Sequence, residues 1–145
     1  MNHTQVLRVE NLSIELPPGA DRPHALQNVT LSLAANEIVC LVGESGSGKS
    51  MAANAIMRLL PGGVTLDGGR IVFEDRDLAH LREADMRKVR GAGIAMIFQE
   101  PMTALNPLRT IGDQIGEMFR VHSDLSRGEI DARLLSLLEE VRIPD

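Results

Sequence analysis

Hydrophobic and polar residues alternate in two stretches near the N-terminus of the chain. Residues 12–16 read LSIEL and residues 29–33 read VTLSL, which is the period of β-strands with one buried face. The intervening PPGADRP, residues 17–23, is rich in turn-forming residues. The sequence therefore predicts an antiparallel ribbon at the start of the chain.

The run IVCLV at residues 38–42 is apolar without alternation. Uninterrupted apolar residues are typical of a strand covered on both faces in a parallel sheet. We expect a strand there, with Cys40 as a small core residue, and further strands at residues 70–73 and 93–98. The chain is thus predicted to contain antiparallel and parallel strands.

Helices are predicted from apolar spacing and from the positions of glycine and proline. Met51 to Leu60 contains neither residue and is followed by Pro61, which predicts a helix of about three turns. The other predicted helices cover residues 81–90, 111–119 and 130–141. Ser126 and Glu129 have the spacing of a capping box before the last of them.

Composition and charge narrow the function classes. The 145 residues, 43% hydrophobic and 24% charged, fit one folded domain. The net charge of -5, without a long block of like charge, does not favour a nucleic-acid partner. The apolar runs are far shorter than the roughly 20 residues of a membrane-spanning helix, and the first residues lack the pattern of a secretory signal. One cysteine and four scattered histidines do not have the spacing of a zinc site.

Residues 43–50, GESGSGKS, match the phosphate-binding loop (P-loop) pattern GxxxxGK[ST] in full. In this pattern the glycines let backbone N–H groups surround a phosphate, and the following helix directs its positive end at the same anion. We expect Lys49 to neutralise the β- and γ-phosphates and the Ser50 hydroxyl to bind Mg²⁺. The loop therefore predicts binding of a nucleoside triphosphate.

P-loops occur in kinases, GTPases and transport motors, so the rest of the chain must discriminate among them. Residues 97–107 read IFQEPMTALNP, with Gln99 fifty residues after Lys49. A strand that ends in glutamine and then proline resembles the Q-loop of ATP-binding cassette (ABC) proteins, and MTALNP resembles the peptide/nickel importer subfamily. The similarity covers essentially the whole chain, through the segments LRVENLSIEL, ALQNVTLSL, VGESGSGKS, GGRIVFEDRDL, MRKVRGAGIAMIFQEPMTALNP and LLEEVRIPD.

The resemblance implies an α/β fold, the core of a P-loop ABC ATPase with an N-terminal antiparallel β subdomain, truncated at its C-terminus. Residues 1–145 would be the N-terminal part of an ABC nucleotide-binding domain. The implied cofactors are ATP and Mg²⁺, with Ser50 and Gln99 at the metal. The implied ATP-binding residues are Gly43, Glu44, Ser45, Gly46, Ser47, Gly48, Lys49, Ser50, Met51 and Gln99.

The same resemblance implies the energy-coupling ATPase subunit of an importer, with peptides as the expected cargo, peripheral to the cytoplasmic face of the cell membrane. Its implied partners are integral-membrane permease subunits, a second ATPase subunit and, indirectly, a peptide-binding protein, with no nucleic acid. Gln99 would contact Mg²⁺ and the attacking water and would couple the site to the membrane subunits.

No catalytic residue is assigned, because the family's signature, its Walker B aspartate and catalytic glutamate, and its switch histidine would follow Asp145. The segments LSRGE and LLSLLEE superficially resemble a signature and a Walker B run. Arg127 replaces a glycine in the first, and the apolar residues from Ile130 onward have helical spacing. We therefore expect the 145-residue chain to bind ATP weakly, to hydrolyse it poorly, and to self-associate through an incomplete central sheet.

Other assignments stay open. A soluble P-loop kinase would phosphorylate a small acceptor without a membrane partner, and a binding-only module would hold ATP without turnover. Asp113 to Gly116 fits the DxxG of GTPases, but NKxD is absent, so the start of a polar-faced helix is the better interpretation. The family's adenine-stacking aromatic residue is missing, since the first 72 residues contain no Phe, Tyr or Trp. Leu16 and His24 are the candidates for its place.

Overall fold

The computed structural model describes residues 4–100 and 105–143, so Pro101 to Ala104 of the predicted Q-loop segment and the last two residues of the chain lie outside the described residues. The chain divides into two compact units, Met1–Met86 and Arg87–Asp145. The first unit carries a β-sheet and the glycine-rich loop, and the second is helical.

The first unit is built on a four-stranded antiparallel sheet. Its strands are β1, Gln5–Glu15, β2, His24–Ala34, β3, Thr65–Phe73, and β4, Arg76–Asp77, in the spatial order β2-β1-β3-β4. β1 pairs with β2 on one side and with β3 on the other. The predicted ribbon and the strand at residues 70–73 are confirmed.

A β-bulge in β1 decides which side chains reach the core. Val9 and Leu12 are both fully buried although they are an odd number of positions apart. Between them Asn11 has a φ of +50°, and its N–H donates to Thr30 Oγ1 at 2.9 Å. The register of β1 with both neighbours shifts at this point, so the extra residue lets both side chains face the same side of the sheet.

The helix after the glycine-rich loop, α1, covers Lys49–Ile56 and ends earlier than the predicted Met51 to Leu60. It closes in a Schellman motif, in which the Arg58 N–H donates to the Ala55 carbonyl oxygen at 3.0 Å. Arg58 has the left-handed φ of +51° that usually favours glycine. Its guanidinium donates to the Leu81 carbonyl oxygen at 2.5 Å, and this tertiary contact accompanies the helix end.

The core of the first unit is made by the sheet, α1 and a short 3-10 helix, Leu78–His80. Its buried apolar residues are Val9, Leu12, Ile14, Ala25, Ala52, Ala55, Met57, Ile71, Val72, Phe73, Leu78 and Met86. Because α1 contributes two of these side chains, burial of apolar surface fixes the helix that follows the glycine-rich loop.

Within residues 4–100 and 105–143, three further α-helices follow. α2, Glu83–Val89, begins in the first unit and ends in the second, and α3, Ile111–His122, and α4, Arg127–Glu140, belong to the second. α3 and α4 approach closely at Gly116, where an added Cβ would lie 3.6 Å from Ile130 Cγ2. All three helices confirm the predicted segments, with bounds shifted by a few residues.

Both helix starts in the second unit are capped by side chains. Thr110 Oγ1 accepts from the Asp113 N–H at 3.1 Å, and the Glu129 carboxylate accepts from the Ser126 N–H at 2.8 Å. The predicted capping box is therefore present. The LSRGE and LLSLLEE segments form the start and the body of α4, and the DxxG residues lie in α3, as their spacing predicted.

The strand predictions for residues 38–42 and 93–98 are wrong for this structure. Apart from an isolated bridge between Arg90 and Ile94, neither run has regular strand structure. A strand needs a hydrogen-bonded neighbour, and the sheet formed by the described residues contains β1 to β4 alone. The uninterrupted apolar pattern of residues 38–42 predicts burial on two faces, but these residues are exposed in this structure.

The consequence is unusual exposure of apolar side chains in both runs. Ile38 is 91% exposed, Val42 94% and Ile97 93%. Cys40 is also exposed, so its prediction as a core residue is wrong for the same reason. Contiguous exposed apolar residues favour contact with another apolar surface.

Candidate functional site

The glycine-rich loop, residues 43–50, runs from the exposed apolar run into the first turn of α1. Lys49 folds back into this loop. Its Nζ donates to the carbonyl oxygens of Gly43 and Glu44, each at 2.7 Å, and to Ser47 Oγ at 3.1 Å. The structure thus brings the ammonium group to the inside of the loop, where the sequence predicts a phosphate.

At two glycines of the loop an added Cβ would meet close neighbours, and at Gly48 the neighbour is backbone. A Cβ at Gly43 would lie 2.7 Å from Ser47 Oγ, and a Cβ at Gly48 would lie 2.8 Å from the Ala25 carbonyl oxygen. Gly48 also has a φ of +94°, which L-residues with side chains rarely adopt. These positions keep the loop tight and place its end against β2.

The start of α1 presents hydrogen-bond donors at the end of the loop. The first bond within the helix runs from the Ala52 N–H to the Gly48 carbonyl oxygen at 2.9 Å. The N–H groups of Lys49, Ser50 and Met51 therefore belong to the first turn, whose donors have no acceptor within the helix. With the positive end of the helix dipole and the Lys49 ammonium, they make a place suited to an anion.

The donor set of the loop fits a triphosphate with Mg²⁺. Backbone N–H groups and one ammonium are the donors that phosphate oxygens accept, and the exposed Ser50 hydroxyl is a hard oxygen ligand of the kind that Mg²⁺ takes. Gln99 lies in the second unit and is exposed. No cluster of three or more metal-ligating side chains occurs within residues 4–100 and 105–143.

The two residues proposed for the adenine position differ in their surroundings. Leu16 follows β1 and donates its N–H to the Pro23 carbonyl oxygen at 2.8 Å. His24 starts β2, with its Nε2 3.3 Å from Asp67 Oδ2 and its Nδ1 buried without a hydrogen-bond partner. His24 immediately precedes Ala25, which lies against Gly48.

Sequence reasoning missed Arg22, which contacts the loop directly. Its Nη2 donates to the Gly46 carbonyl oxygen at 2.5 Å. The two residues are 24 positions apart, and no local pattern marks such a contact. The turn composition of residues 17–23 was the available signal, because it brings the start of β2 back beside β1.

Comparison with known proteins identifies the family. A family model described as ABC transporter matches residues 26–145. The probable D,D-dipeptide transport ATP-binding protein of Escherichia coli is 50% identical over 97% of this chain, which covers 43% of that protein. The dipeptide transport ATP-binding protein of Bacillus subtilis is 43% identical over 97% of this chain and 42% of that protein. The glutathione import ATP-binding protein of Shigella flexneri is 47% identical over 97% of this chain and 23% of that protein.

Solved structures agree on the fold. An ATP-binding cassette solved as a dimer in a post-hydrolysis state with ADP and phosphate superposes with a TM-score of 0.74 at 24% identity, over 92% of this chain and 56% of that one. A subunit of an ABC transporter complex from Clostridium perfringens superposes with a TM-score of 0.67 at 24% identity, over 97% of this chain and 51% of that one. The predicted fold, an α/β ABC ATPase core with an N-terminal antiparallel sheet, is confirmed.

The chain spans less than half the length of the curated relatives named here. Among the helices of the described ranges, none has the length and apolar character needed to cross a membrane. The match of the family model to residues 26–145 covers most of the sequence, and it agrees with the P-loop and with the fold. The chain belongs to the ABC transporter family.

Proposed function

We propose that residues 43–51 bind the phosphates of Mg-ATP and that the chain is part of an energy-coupling ATPase subunit. The observation that carries the proposal is the position of the Lys49 ammonium, bonded to Gly43, Glu44 and Ser47 at the start of α1. Family membership favours this function over a soluble kinase.

The bound nucleotide would supply a phosphoanhydride bond whose hydrolysis releases free energy. The residues of this chain act by binding and orienting. Lys49 exchanges its contacts with loop carbonyls for contacts with phosphate oxygens, and the N–H groups at the start of α1 donate to the same anion. Ser50 offers its hydroxyl to Mg²⁺, and the assignment of Gln99 to the metal stays a prediction from the sequence.

We further propose that the subunit drives transport. This proposal rests on the relatives, which are named as ATP-binding proteins of dipeptide transport and glutathione import. On that basis the cargo is a peptide. The partners are integral-membrane permease subunits and a second ATPase subunit, with a peptide-binding protein acting indirectly. The site of action is the cytoplasmic face of the cell membrane.

For the 145-residue chain alone we propose binding of ATP with little turnover. Lys49 and the loop N–H groups bind the phosphates and Ser50 offers its hydroxyl to Mg²⁺, but hydrolysis also needs an oriented water and a general base. We assign neither role to the described residues, and Glu44 and Glu100 are exposed loop carboxylates.

Amide chemical shifts of the nitrogen-15-labelled chain test the binding site. Addition of Mg-ATP is expected to shift the amides of residues 43–51 more than those of α4, and inorganic triphosphate with Mg²⁺ is expected to shift the same loop amides. Adenosine is the control, because it lacks phosphates. Shifts spread evenly over the chain, or equal effects of adenosine and ATP on the loop, would contradict the proposed site.

A further inference from the structure

Arg22 reaches the glycine-rich loop from the connection between β1 and β2. Its Nη2 donates a hydrogen bond of 2.5 Å to the carbonyl oxygen of Gly46. We infer that Arg22 is a positioning residue, which holds the apex of the loop in the conformation that binds phosphate. The inference rests on the proposed function of the loop, and it adds a residue outside the P-loop pattern.

The apex of the loop is held differently from its end. At Gly48 the backbone is wedged against β2, since an added Cβ would lie 2.8 Å from the Ala25 carbonyl oxygen. At Gly46 an added Cβ would meet nothing within 4 Å, although φ is +79°. Close packing therefore fixes the end of the loop, whereas the apex depends on hydrogen bonds such as the one from Arg22.

The position of Arg22 is itself constrained. Pro23 follows it and restricts the backbone of Arg22 to extended conformations. The Leu16 N–H donates to the Pro23 carbonyl oxygen at 2.8 Å, and Glu15 pairs with His24 at the end of the ribbon. The backbone of Arg22 is thus held in a turn whose ends are hydrogen-bonded. Less conformational entropy is therefore lost when the guanidinium binds the loop.

Loss of this contact should loosen the apex. Glycine has more accessible backbone conformations than any other residue, and Gly46 would then sample states that do not match a phosphate. Ordering the loop on binding would then cost free energy. The observed affinity would fall in proportion to the fraction of molecules whose loop already has the conformation that binds phosphate. Arg22 acts through Gly46 in this account and need not touch the nucleotide.

The first measurement is hydrogen exchange of the loop amides in the nucleotide-free 145-residue chain. Arg22→Ala is expected to speed exchange of the Ser47 amide, whose N–H donates to the Glu44 carbonyl oxygen at 3.2 Å in the turn that contains Gly46, and Arg22→Lys to restore part of the protection, because an ammonium retains a donor. Arg8→Ala is the matched control, since Arg8 is a half-buried arginine on β1 whose ion-pair partner is Glu10 and not a residue of the loop. Exchange in Arg22→Ala at the wild-type rate would overturn the inference.

The second measurement is calorimetric titration of the same four proteins with Mg-ATP. Arg22→Ala is expected to weaken binding about threefold to tenfold, as for loss of an exposed charge-assisted hydrogen bond, with Arg22→Lys between it and the wild type. Equal affinity of Arg22→Ala and wild type would overturn the inference even if exchange is faster. Absence of binding by the wild type would instead contradict the proposed function, and the exchange result would still decide whether Arg22 holds the loop.

Discussion

Lys49 Nζ donates a 2.7 Å hydrogen bond to the carbonyl oxygen of Gly43. Gly43 is the first residue of the glycine-rich loop, residues 43–50, and Lys49 lies near its end. A phosphate that enters the loop must therefore replace contacts between the ammonium and backbone carbonyls. Under the proposed function, this exchange of charge-assisted hydrogen bonds would reduce the net gain from binding the phosphates. The lysine also holds the loop together when no anion is bound.

Gly48→Ala is expected to destabilise the first unit by about 1–3 kcal/mol. The added Cβ would meet the Ala25 carbonyl oxygen at 2.8 Å, and φ at this position is +94°. Urea unfolding of the variant measures the effect. Gly62→Ala is the control, because its Cβ would meet nothing within 4 Å. Equal losses for the two variants would show that Gly48 is not wedged against β2.

The coupling between Ser126 and Glu129 is expected to depend on pH. Hydrogen bonds from the Ser126 hydroxyl and N–H lower the pKa of the Glu129 carboxyl in the folded chain. A lowered pKa means that the contribution to stability is present above the unfolded pKa of about 4.3. It is lost as the pH falls through the folded value.

A double-mutant cycle of Ser126→Ala and Glu129→Ala tests this dependence, because alanine removes the acceptor that a glutamine would retain. We expect a measurable coupling in urea unfolding near neutral pH, and its disappearance once the carboxyl is protonated. A coupling that stays constant over the acid range would contradict a carboxylate-dependent capping box at the start of α4.

The exposed apolar run at residues 38–42 is expected to drive self-association of the 145-residue chain. Ile38 and Val42 are 91% and 94% exposed, and the double change of both to lysine should lower the associated fraction in light scattering. Leu108→Lys is the matched control, since Leu108 is 93% exposed but lies outside the run. A monodisperse wild-type monomer, or equal effects of all these changes, would contradict the prediction.

Gln99→Ala is expected to reduce affinity for Mg-ATP less than Lys49→Ala does. One neutral amide contributes a weaker contact than an ammonium bound to a polyanion. Calorimetric titration of both variants under the same conditions gives the comparison. A larger loss for Gln99→Ala would show that the roles of the two residues have been assigned wrongly.

The sequence predicts features that depend on neighbouring residues. The glycine-rich loop, the capped start of α4 and the ribbon of β1 and β2 each follow from local spacing or turn chemistry. Features that depend on distant contacts are not predictable in this way. At the end of α1 the Arg58 guanidinium donates a hydrogen bond to the Leu81 carbonyl oxygen. The Arg22 guanidinium donates one to the carbonyl oxygen of Gly46, which is 24 positions away in the sequence. The run at residues 38–42 has strand composition, but strand structure requires a pairing partner that the described sheet does not provide.

The most direct test of the phosphate-binding loop is the ratio of Mg-ATP dissociation constants for Lys49→Ala and Lys88→Ala, measured by calorimetry beside the wild type. Lys49 and Lys88 are the two lysines of the chain, and Lys88 is an exposed residue of α2, which makes it the matched control. We predict that Lys49→Ala binds about tenfold or more weakly than wild type, with an unchanged circular dichroism spectrum, and that Lys88→Ala binds like wild type. Equal dissociation constants for the two variants would contradict the central claim that residues 43–51 bind the phosphates of ATP.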